Sequence, residues 1–179
     1  LGGQLMAALG QMVDRPVDFV GVGGEAMKAQ GLDSLYPIDD LAVMGLSQIV
    51  PRLPIILNRI RRIVDYGIES APDIAVLIDS GDFNYRVARG LKRKNFKAPV
   101  VKFVSPQIWA SRPNRVFALA KVFDHVLTLL PFEPKFYDRV NLPATFVGHP
   151  VMERVTEQGQ GLAFRERHNI PREAKLLCV

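Results

Sequence analysis

Cysteine and histidine are scarce in this sequence. The single cysteine is Cys178, and the three histidines, His125, His149 and His168, lie far apart along the chain. A lone cysteine excludes an internal disulfide, and no cysteine or histidine cluster has the spacing of a metal site. We therefore expect a protein of a reducing compartment that holds no metal through such a cluster.

Long apolar runs are missing as well. No stretch reaches the roughly 20 residues of a transmembrane helix, and the first residues lack the pattern of a signal peptide. The net charge of +5 and the pI of about 9.6 indicate affinity for phosphates or anionic surfaces. Basic stretches are not interleaved with aromatic residues, so we expect no nucleic-acid partner.

Short β-branched runs alternate with helical patterns, roughly every 20 to 25 residues. This spacing is typical of βαβ units and predicts an α/β fold with a doubly wound, mostly parallel, Rossmann-like sheet. The predicted strands are 17–22, 74–78, 99–104, 124–130 and 144–147, and the predicted helices are 1–11, 25–30, 54–64, 83–95, 114–122 and one that starts at Pro131.

The two ends of the sequence interrupt this pattern. The chain opens inside a helical pattern, and residues 175–179 resemble the beginning of a strand. We therefore expect a fragment: residues 1–150 would form a domain that lacks its first strand. Residues 151–179 would be a linker and the start of a further domain.

The stretch 71–84 contains the strongest candidate site. Residues 74–78 are typical of a buried parallel strand, and Asp79 and Asp82 follow it closely. Ligands of open α/β sheets bind beyond the carboxyl ends of the strands. Asp79 is therefore a candidate acid or base, or else a partner of a loop amide. For Asp82 we favour the N-cap of the next helix.

Polar loops follow two other strands, at residues 105–109 and 148–149. If these strands neighbour the one before Asp79, the three loops share one edge of the sheet and form one cleft. Gly23 and Gly24 also follow a strand, but we favour a plain tight turn over a phosphate site there.

The segment 41–64 carries more apolar side chains than one buried helix face requires. From Pro54 onward the pattern predicts a helix that faces the core. The part before Pro54, beside Arg52, is typical of a peripheral membrane contact, with a dimer interface as the alternative. The candidate contact residues are Val43, Met44, Leu46, Ile49, Val50, Leu53, Ile56 and Leu57.

Six ordered motifs resemble those of the lipid-A-disaccharide synthases. They lie at residues 19–24, 41–45, 78–84, 105–110, 129–138 and 146–150. The similarity covers residues 1–150 and continues more loosely to Val179. It implies the N-terminal, acceptor-side half of a GT-B glycosyltransferase that has two Rossmann-like domains.

The resemblance also implies an activity. The family is an inverting glycosyltransferase of lipid A biosynthesis that joins UDP-2,3-diacylglucosamine to 2,3-diacylglucosamine 1-phosphate (lipid X). The products are the β-1,6-linked disaccharide 1-phosphate and UDP, and no metal or other cofactor is required. Such an enzyme works peripherally on the anionic cytoplasmic face of the Gram-negative inner membrane. This chain would be inactive alone, because the UDP-binding half is missing.

By the same resemblance, Asp79 is the base that takes the proton of the attacking 6-hydroxyl group. Asp82 and Asn84 would brace the loop beside it. Ser105, Gln107 and Trp109 would line the cleft. Arg112 and Arg115 would bind a sugar phosphate, with plain solvation at the surface as the alternative.

Two motifs depart from the family pattern. Ser80 and Gly81 replace an Ala-Pro pair beside the proposed base, and Ser111 replaces the second tryptophan of a Ser-Pro-x-x-Trp-Ala-Trp loop. These departures concern the geometry of the loops more than the assignment to the family. Two alternatives stay open. One is another UDP-sugar enzyme, such as a relative of UDP-N-acetylglucosamine 2-epimerase, which would not need the apolar surface. The other is a non-catalytic lipid- or anion-binding module, which would not depend on Asp79.

Overall fold

The computed structural model describes residues 1–38, 46–154 and 161–176, with side chains in 1–38, 51–152 and 161–176. Helices and strands alternate along the described chain, which confirms the α/β class. The helices are α1 (Gly2–Met12), α2 (Glu25–Lys28), α3 (Leu46–Ser70), α4 (Gly81–Arg93), α5 (Arg115–Leu119), α6 (Val151–Arg154) and α7 (Gly161–Arg167). The strands are β1 (Val20–Gly21), β2 (Asp33–Ser34), β3 (Ala75–Ile78), β4 (Val100–Phe103), β5 (His125–Thr128) and β6 (Ala144–Phe146).

Four of the strands form one parallel sheet in the order β3-β4-β5-β6. Ala75 pairs with Val100, Val101 with His125, and Val126 with Ala144. Strand β4 is buried along its whole length, because it lies inside the sheet and is covered on both faces. The predicted parallel, Rossmann-like sheet is therefore confirmed, and the carboxyl ends of all four strands lie at one edge.

Strands β1 and β2 form a separate, smaller parallel pair. An apolar groove of about 740 Å³ lies between β1 and β3, and Val20, Val76 and Ile78 line it. Among the described residues, β1 pairs only with β2 and β3 only with β4, so each sheet ends at this groove on an unpaired edge.

The main core lies beside the four-stranded sheet, where α3 and α4 pack together. Val64 of α3 and Val87 and Leu91 of α4 are buried in it. Gly90 allows the two helices to approach closely, since a Cβ atom there would lie 2.7 Å from Cγ2 of Val64. The amphipathic pattern of α4 therefore buries one face and leaves the opposite face to solvent.

Two of the predicted elements are wrong in detail. Helix α3 begins at Leu46 and includes Pro51 and Pro54, whereas the sequence predicted a helix only from Pro54. Each proline removes one amide donor, but the rest of the long helix continues past it. The helix predicted from Pro131 is instead a pair of 3-10 turns, Pro134–Phe136 and Asp138–Val140, which ends at left-handed Asn141.

The chain divides into two compact units, residues 1–148 and 149–179. In the second unit, the Arg165 guanidinium donates hydrogen bonds to the carbonyls of Pro171 and Ala174, at 2.8 and 3.0 Å. No helix in the described ranges is long and apolar enough to cross a membrane.

Candidate functional site

Asp79 and Ser80 form the turn between β3 and α4. Both residues have positive φ angles, 50° and 46°, a left-handed conformation that costs a non-glycine residue about 1 kcal/mol or more. The Asp79 amide donates to the carbonyl of Phe103 at 2.9 Å. The Asp79 side chain is exposed, and no hydrogen bond reaches its carboxylate from the described residues. This carboxylate is therefore open to a ligand at the edge of the sheet.

Asn84 and Lys102 hold this turn from below. The buried Asn84 amide group donates to the carbonyls of Ile78, at 2.8 Å, and Asp79, at 2.7 Å. The Lys102 ammonium donates to the carbonyls of Asp79 and Leu77, and more weakly to that of Phe103 at 3.5 Å. These carbonyl groups point inward, so the strained turn is fixed and the Asp79 carboxylate is left outside.

Lys102 is a buried charge in the middle of strand β4, with only 1% of its surface exposed. Burial lowers the pKa of its ammonium from 10.5 to about 8. The Asp79 carboxylate acts in the opposite direction, and the Arg115 guanidinium lowers the Lys102 pKa further. Lys102, Asp79 and Arg115 therefore form one electrostatically linked group.

The prediction that Asp82 caps helix α4 is wrong. The N-cap residue is Ser80, no side chain caps the helix, and Asp82 lies one residue inside its first turn. The Asp82 carboxylate instead pairs with the guanidinium of Arg115, at the start of α5. Gly81 occupies the first helical position, where proline is also favoured, so the departure from the family's Ala-Pro leaves the helix start intact.

Ser105 does not line an open cleft as the sequence suggested, because it is buried. Its hydroxyl lies 2.7 Å from the Tyr137 hydroxyl and donates to the carbonyl of Pro106 at 3.1 Å. Burial raises the pKa of Tyr137 to about 12, although the hydrogen bond with Ser105 opposes this shift. The Ser105–Tyr137 pair therefore joins the loop after β4 to the segment after β5.

Trp109 is partly exposed and is oriented by a buried carboxylate. Its indole nitrogen donates to Glu133 at 3.3 Å, and its ring meets Phe132 edge-on at 5.3 Å. The other oxygen of Glu133 accepts the amides of Leu129 and Leu130, at 3.1 and 3.0 Å. Trp109 thus presents a fixed aromatic surface at the carboxyl edge of the sheet.

The remaining predicted loop residues are distributed along the same edge. Gln107 and Arg112 are exposed, and Arg112 has a left-handed main chain with φ of 72°. Strands β3 and β4 are neighbours, so the loops that begin at Asp79 and Ser105 lie side by side. Strand β6, which precedes Gly148, is separated from β4 by β5.

Helix α3 exposes aliphatic side chains near its first turns. Leu53, Ile55 and Leu57 are 45%, 48% and 45% exposed, whereas Ile56 is half-buried. Of the other candidate contact residues, Val43 and Met44 lie outside the described residues. Leu46, Ile49 and Val50 lie on the helix, but their side chains are outside the described part.

Gly23 and Gly24 lie in the short irregular connection before α2, and Gly24 is the extended N-cap residue of that helix. The Gly23 amide donates to the Ser34 hydroxyl at 3.1 Å, and a Cβ atom at Gly23 would meet Leu32 at 2.6 Å. Packing thus accounts for the small residue at position 23. Within the described ranges, no three His, Cys, Asp or Glu side chains are grouped to hold a metal ion.

Sequence reasoning missed three buried polar residues that organise this edge: Lys102, Glu133 and Tyr137. Lys102 had a visible signal, since it is a single charge inside the apolar strand sequence Val-Val-Lys-Phe-Val. Charged residues are almost never fully buried unless they are paired. Glu133 and Tyr137 had no comparable signal, because their partners are distant in sequence or are main-chain amides.

Comparison with known proteins agrees with the motifs. The whole chain, residues 1–179, matches the lipid-A-disaccharide synthetase family. It is 47% identical over 179 residues to the lipid-A-disaccharide synthase of Rhodospirillum centenum and 45% identical to that of Paramagnetospirillum magneticum. These alignments cover 100% of this chain but only 45% and 46% of those proteins. The chain therefore spans about half the length of the curated relatives it matches.

The lowered pKa of Lys102 predicts a pH-dependent stability. Between about pH 8 and 10.5 the unfolded state binds a proton that the folded state has lost, so this residue makes stability rise with pH. We expect the stability of wild type relative to Lys102→Met to increase from pH 7 to pH 9.5, by about 2 kcal/mol.

The measurement is the difference in unfolding midpoint between the two full-length proteins at each pH. Tyr137, whose pKa is raised to about 12, makes stability fall with pH, but only above pH 10. Both proteins contain Tyr137, so its contribution cancels in the difference. A difference that stays constant from pH 7 to 9.5 would contradict the assignment of a shifted pKa to Lys102.

Proposed function

Because the chain belongs to the lipid-A-disaccharide synthetase family, we propose that the protein carrying it is a glycosyltransferase of lipid A biosynthesis. The reaction joins UDP-2,3-diacylglucosamine to 2,3-diacylglucosamine 1-phosphate, with inversion at the anomeric carbon. The family match favours this reaction over an epimerase or a non-catalytic binding module. The observation that carries the proposal is the exposed carboxylate of Asp79, which accepts no hydrogen bond from the described residues and lies on a turn held by Asn84 and Lys102 at the carboxyl edge of the sheet.

Asp79 acts in this proposal as the general base. Its carboxylate takes the proton from the 6-hydroxyl of the acceptor while that oxygen forms a bond to the anomeric carbon of the donor. The bond between the anomeric carbon and the UDP oxygen breaks, and UDP leaves with the electron pair. A general base needs a free lone pair within reach of the proton, and no hydrogen bond from the described residues reaches the Asp79 carboxylate.

The chain supplies the acceptor side of the enzyme in this proposal. The relatives are about twice as long, so we assign the UDP-sugar site to the half outside this chain and expect the chain alone to be inactive. The apolar groove between β1 and β3 is bordered by two unpaired strand edges. These edges leave main-chain donors and acceptors along both sides of the groove that a further strand could pair with.

Replacing Asp79 by asparagine tests the proposed base. Asparagine keeps the size of the side chain but cannot accept the proton, so UDP release from the two acylated substrates should fall about 10²- to 10⁴-fold. The assay uses the full-length protein. Asp73→Asn, an exposed acid at the opposite end of the same strand, is the matched control and should retain activity.

A folded Asp79→Asn enzyme with wild-type turnover would show that another residue is the base. Absence of UDP release in the wild-type enzyme would overturn the proposed reaction itself.

We further propose that the exposed aliphatic side chains near the first turns of α3 dock on the cytoplasmic face of the inner membrane. Both proposed substrates carry acyl chains, so the enzyme must reach molecules held in a bilayer. Leu53, Ile55 and Leu57 offer apolar side chains, and Arg52 and Arg61 beside them are exposed cations that suit anionic lipid headgroups.

Membrane docking predicts that Leu53→Ser combined with Leu57→Ser reduces flotation of the full-length protein with phosphatidylglycerol-containing vesicles. A loss of roughly tenfold or more is expected, because each buried leucine contributes about 1.5–3 kcal/mol. Met12→Ser is the control, since Met12 is equally apolar and 81% exposed but lies on α1. Unchanged flotation would reject this surface, and a concentration-dependent change in sedimentation instead would identify it as a dimer interface.

A further inference from the structure

Helices α4 and α5 form a cleft on the face of α4 that points away from the core. The cleft encloses about 330 Å³ and is lined by Asp82, Tyr85, Arg86, Arg89, Arg115 and Ala118. The first four of these residues follow the i, i+3, i+4, i+7 spacing, which places them on one side of α4. Arg115 faces them from α5.

The charges of the residues that line this cleft do not balance one another. It contains three guanidinium groups and one carboxylate, a net charge of +2. Asp82 is paired with Arg115, and no carboxylate of the described residues forms an ion pair with Arg86 or Arg89. Like charges three or four residues apart destabilise a helix, and Arg86 and Arg89 are three residues apart. An anion bound between them would relieve this repulsion.

The cleft adjoins the turn that carries Asp79. Asp82 belongs to the first turn of the helix that follows Asp79, and the field of Arg115 reaches the buried Lys102 beneath that turn. A small anionic sugar that places a hydroxyl at Asp79 would therefore have its charged group on the side of Arg115, with Arg86 one turn beyond Asp82 along α4. Guanidinium groups bind phosphate oxygens in a bidentate manner, and three of them match the oxygens of a phosphate monoester.

We propose that the cleft formed by Arg86, Arg89 and Arg115 binds the phosphate group of the acceptor sugar phosphate. This proposal rests on the proposed function for the identity of the sugar, and it adds the site that orients the acceptor. Arg86 and Arg89 act as binding residues, Tyr85 closes one side of the cleft, and Asp82 holds Arg115 in place.

Binding of glucosamine 1-phosphate to the full-length protein tests this proposal without any chemical step. This probe lacks acyl chains, so membrane docking does not contribute, and unphosphorylated glucosamine measures the part of the affinity that is independent of phosphate. We expect Arg86→Ala with Arg89→Ala to weaken binding of glucosamine 1-phosphate by roughly 10- to 100-fold, as the loss of charge-assisted hydrogen bonds does. Arg93→Ala removes the same charge from the last turn of α4, outside the cleft, and should change binding less than twofold.

In steady-state assays, the double variant should raise the KM of the acylated acceptor by a similar factor and leave the KM of the UDP-sugar unchanged. Arg86→Lys and Arg89→Lys keep the charge without the planar fork and should lie between wild type and the alanine variants.

Several results would overturn the proposal: equal affinity of wild type for glucosamine and glucosamine 1-phosphate, an equal loss in Arg93→Ala, or unchanged binding in the double variant. Loss of binding to phosphatidylglycerol vesicles without any change for the sugar phosphate would assign the cleft to lipid headgroups instead. These readouts do not involve Asp79, so a failure of the proposed base leaves them interpretable.

Discussion

The hydrogen bonds from the Lys102 ammonium to main-chain carbonyls at the end of β3 determine the geometry of this candidate site. A left-handed Asp79–Ser80 turn is unfavourable by itself, and it persists because Lys102 and Asn84 bind the carbonyls on its inner side. Burying an ammonium group is also unfavourable unless it has partners. The carbonyls of the turn compensate only part of the cost of the buried charge, since burial still lowers the pKa of Lys102 to about 8. The same contacts hold the turn and leave the Asp79 carboxylate exposed.

Three surfaces surround this turn. The arginine cleft lies on the outer face of α4, Trp109 lies on the neighbouring loop, and the apolar groove between the sheets reaches Asp79 and Ser80. The proposed acceptor needs a site for a phosphate, a site for a sugar ring and contact with acyl chains. In the proposed complex, the arginine cleft takes the phosphate and Trp109 takes the sugar ring, and both lie near the Asp79 carboxylate. The aliphatic side chains of α3 offer a separate contact with the bilayer.

Much of the fold follows from local patterns, whereas the site depends on contacts that the sequence does not display. The β-branched runs before Asp79 and Ser105 correctly predicted two parallel strands, because buried strands leave a strong apolar signal, whereas their direct pairing is seen only in the structure. Asp82 matched an N-cap pattern but pairs with Arg115, 33 residues away, and the buried Ser105 meets Tyr137, 32 residues away. Such partners are fixed by sheet order and loop packing. Pro54 likewise suggested a helix start, yet α3 begins at Leu46 and continues through both Pro51 and Pro54.

The most direct test of this account is a double-mutant cycle between Asn84 and Asp79 in the full-length protein. If Asn84 matters because it places the Asp79 carboxylate, Asn84→Ala should lower turnover about tenfold or more in wild type, since small displacements of a catalytic group are costly. The same substitution should then have almost no effect in an Asp79→Asn background, where the base is already absent. An equal loss in both backgrounds would contradict the account, because Asn84 would then support activity by a route that does not involve Asp79.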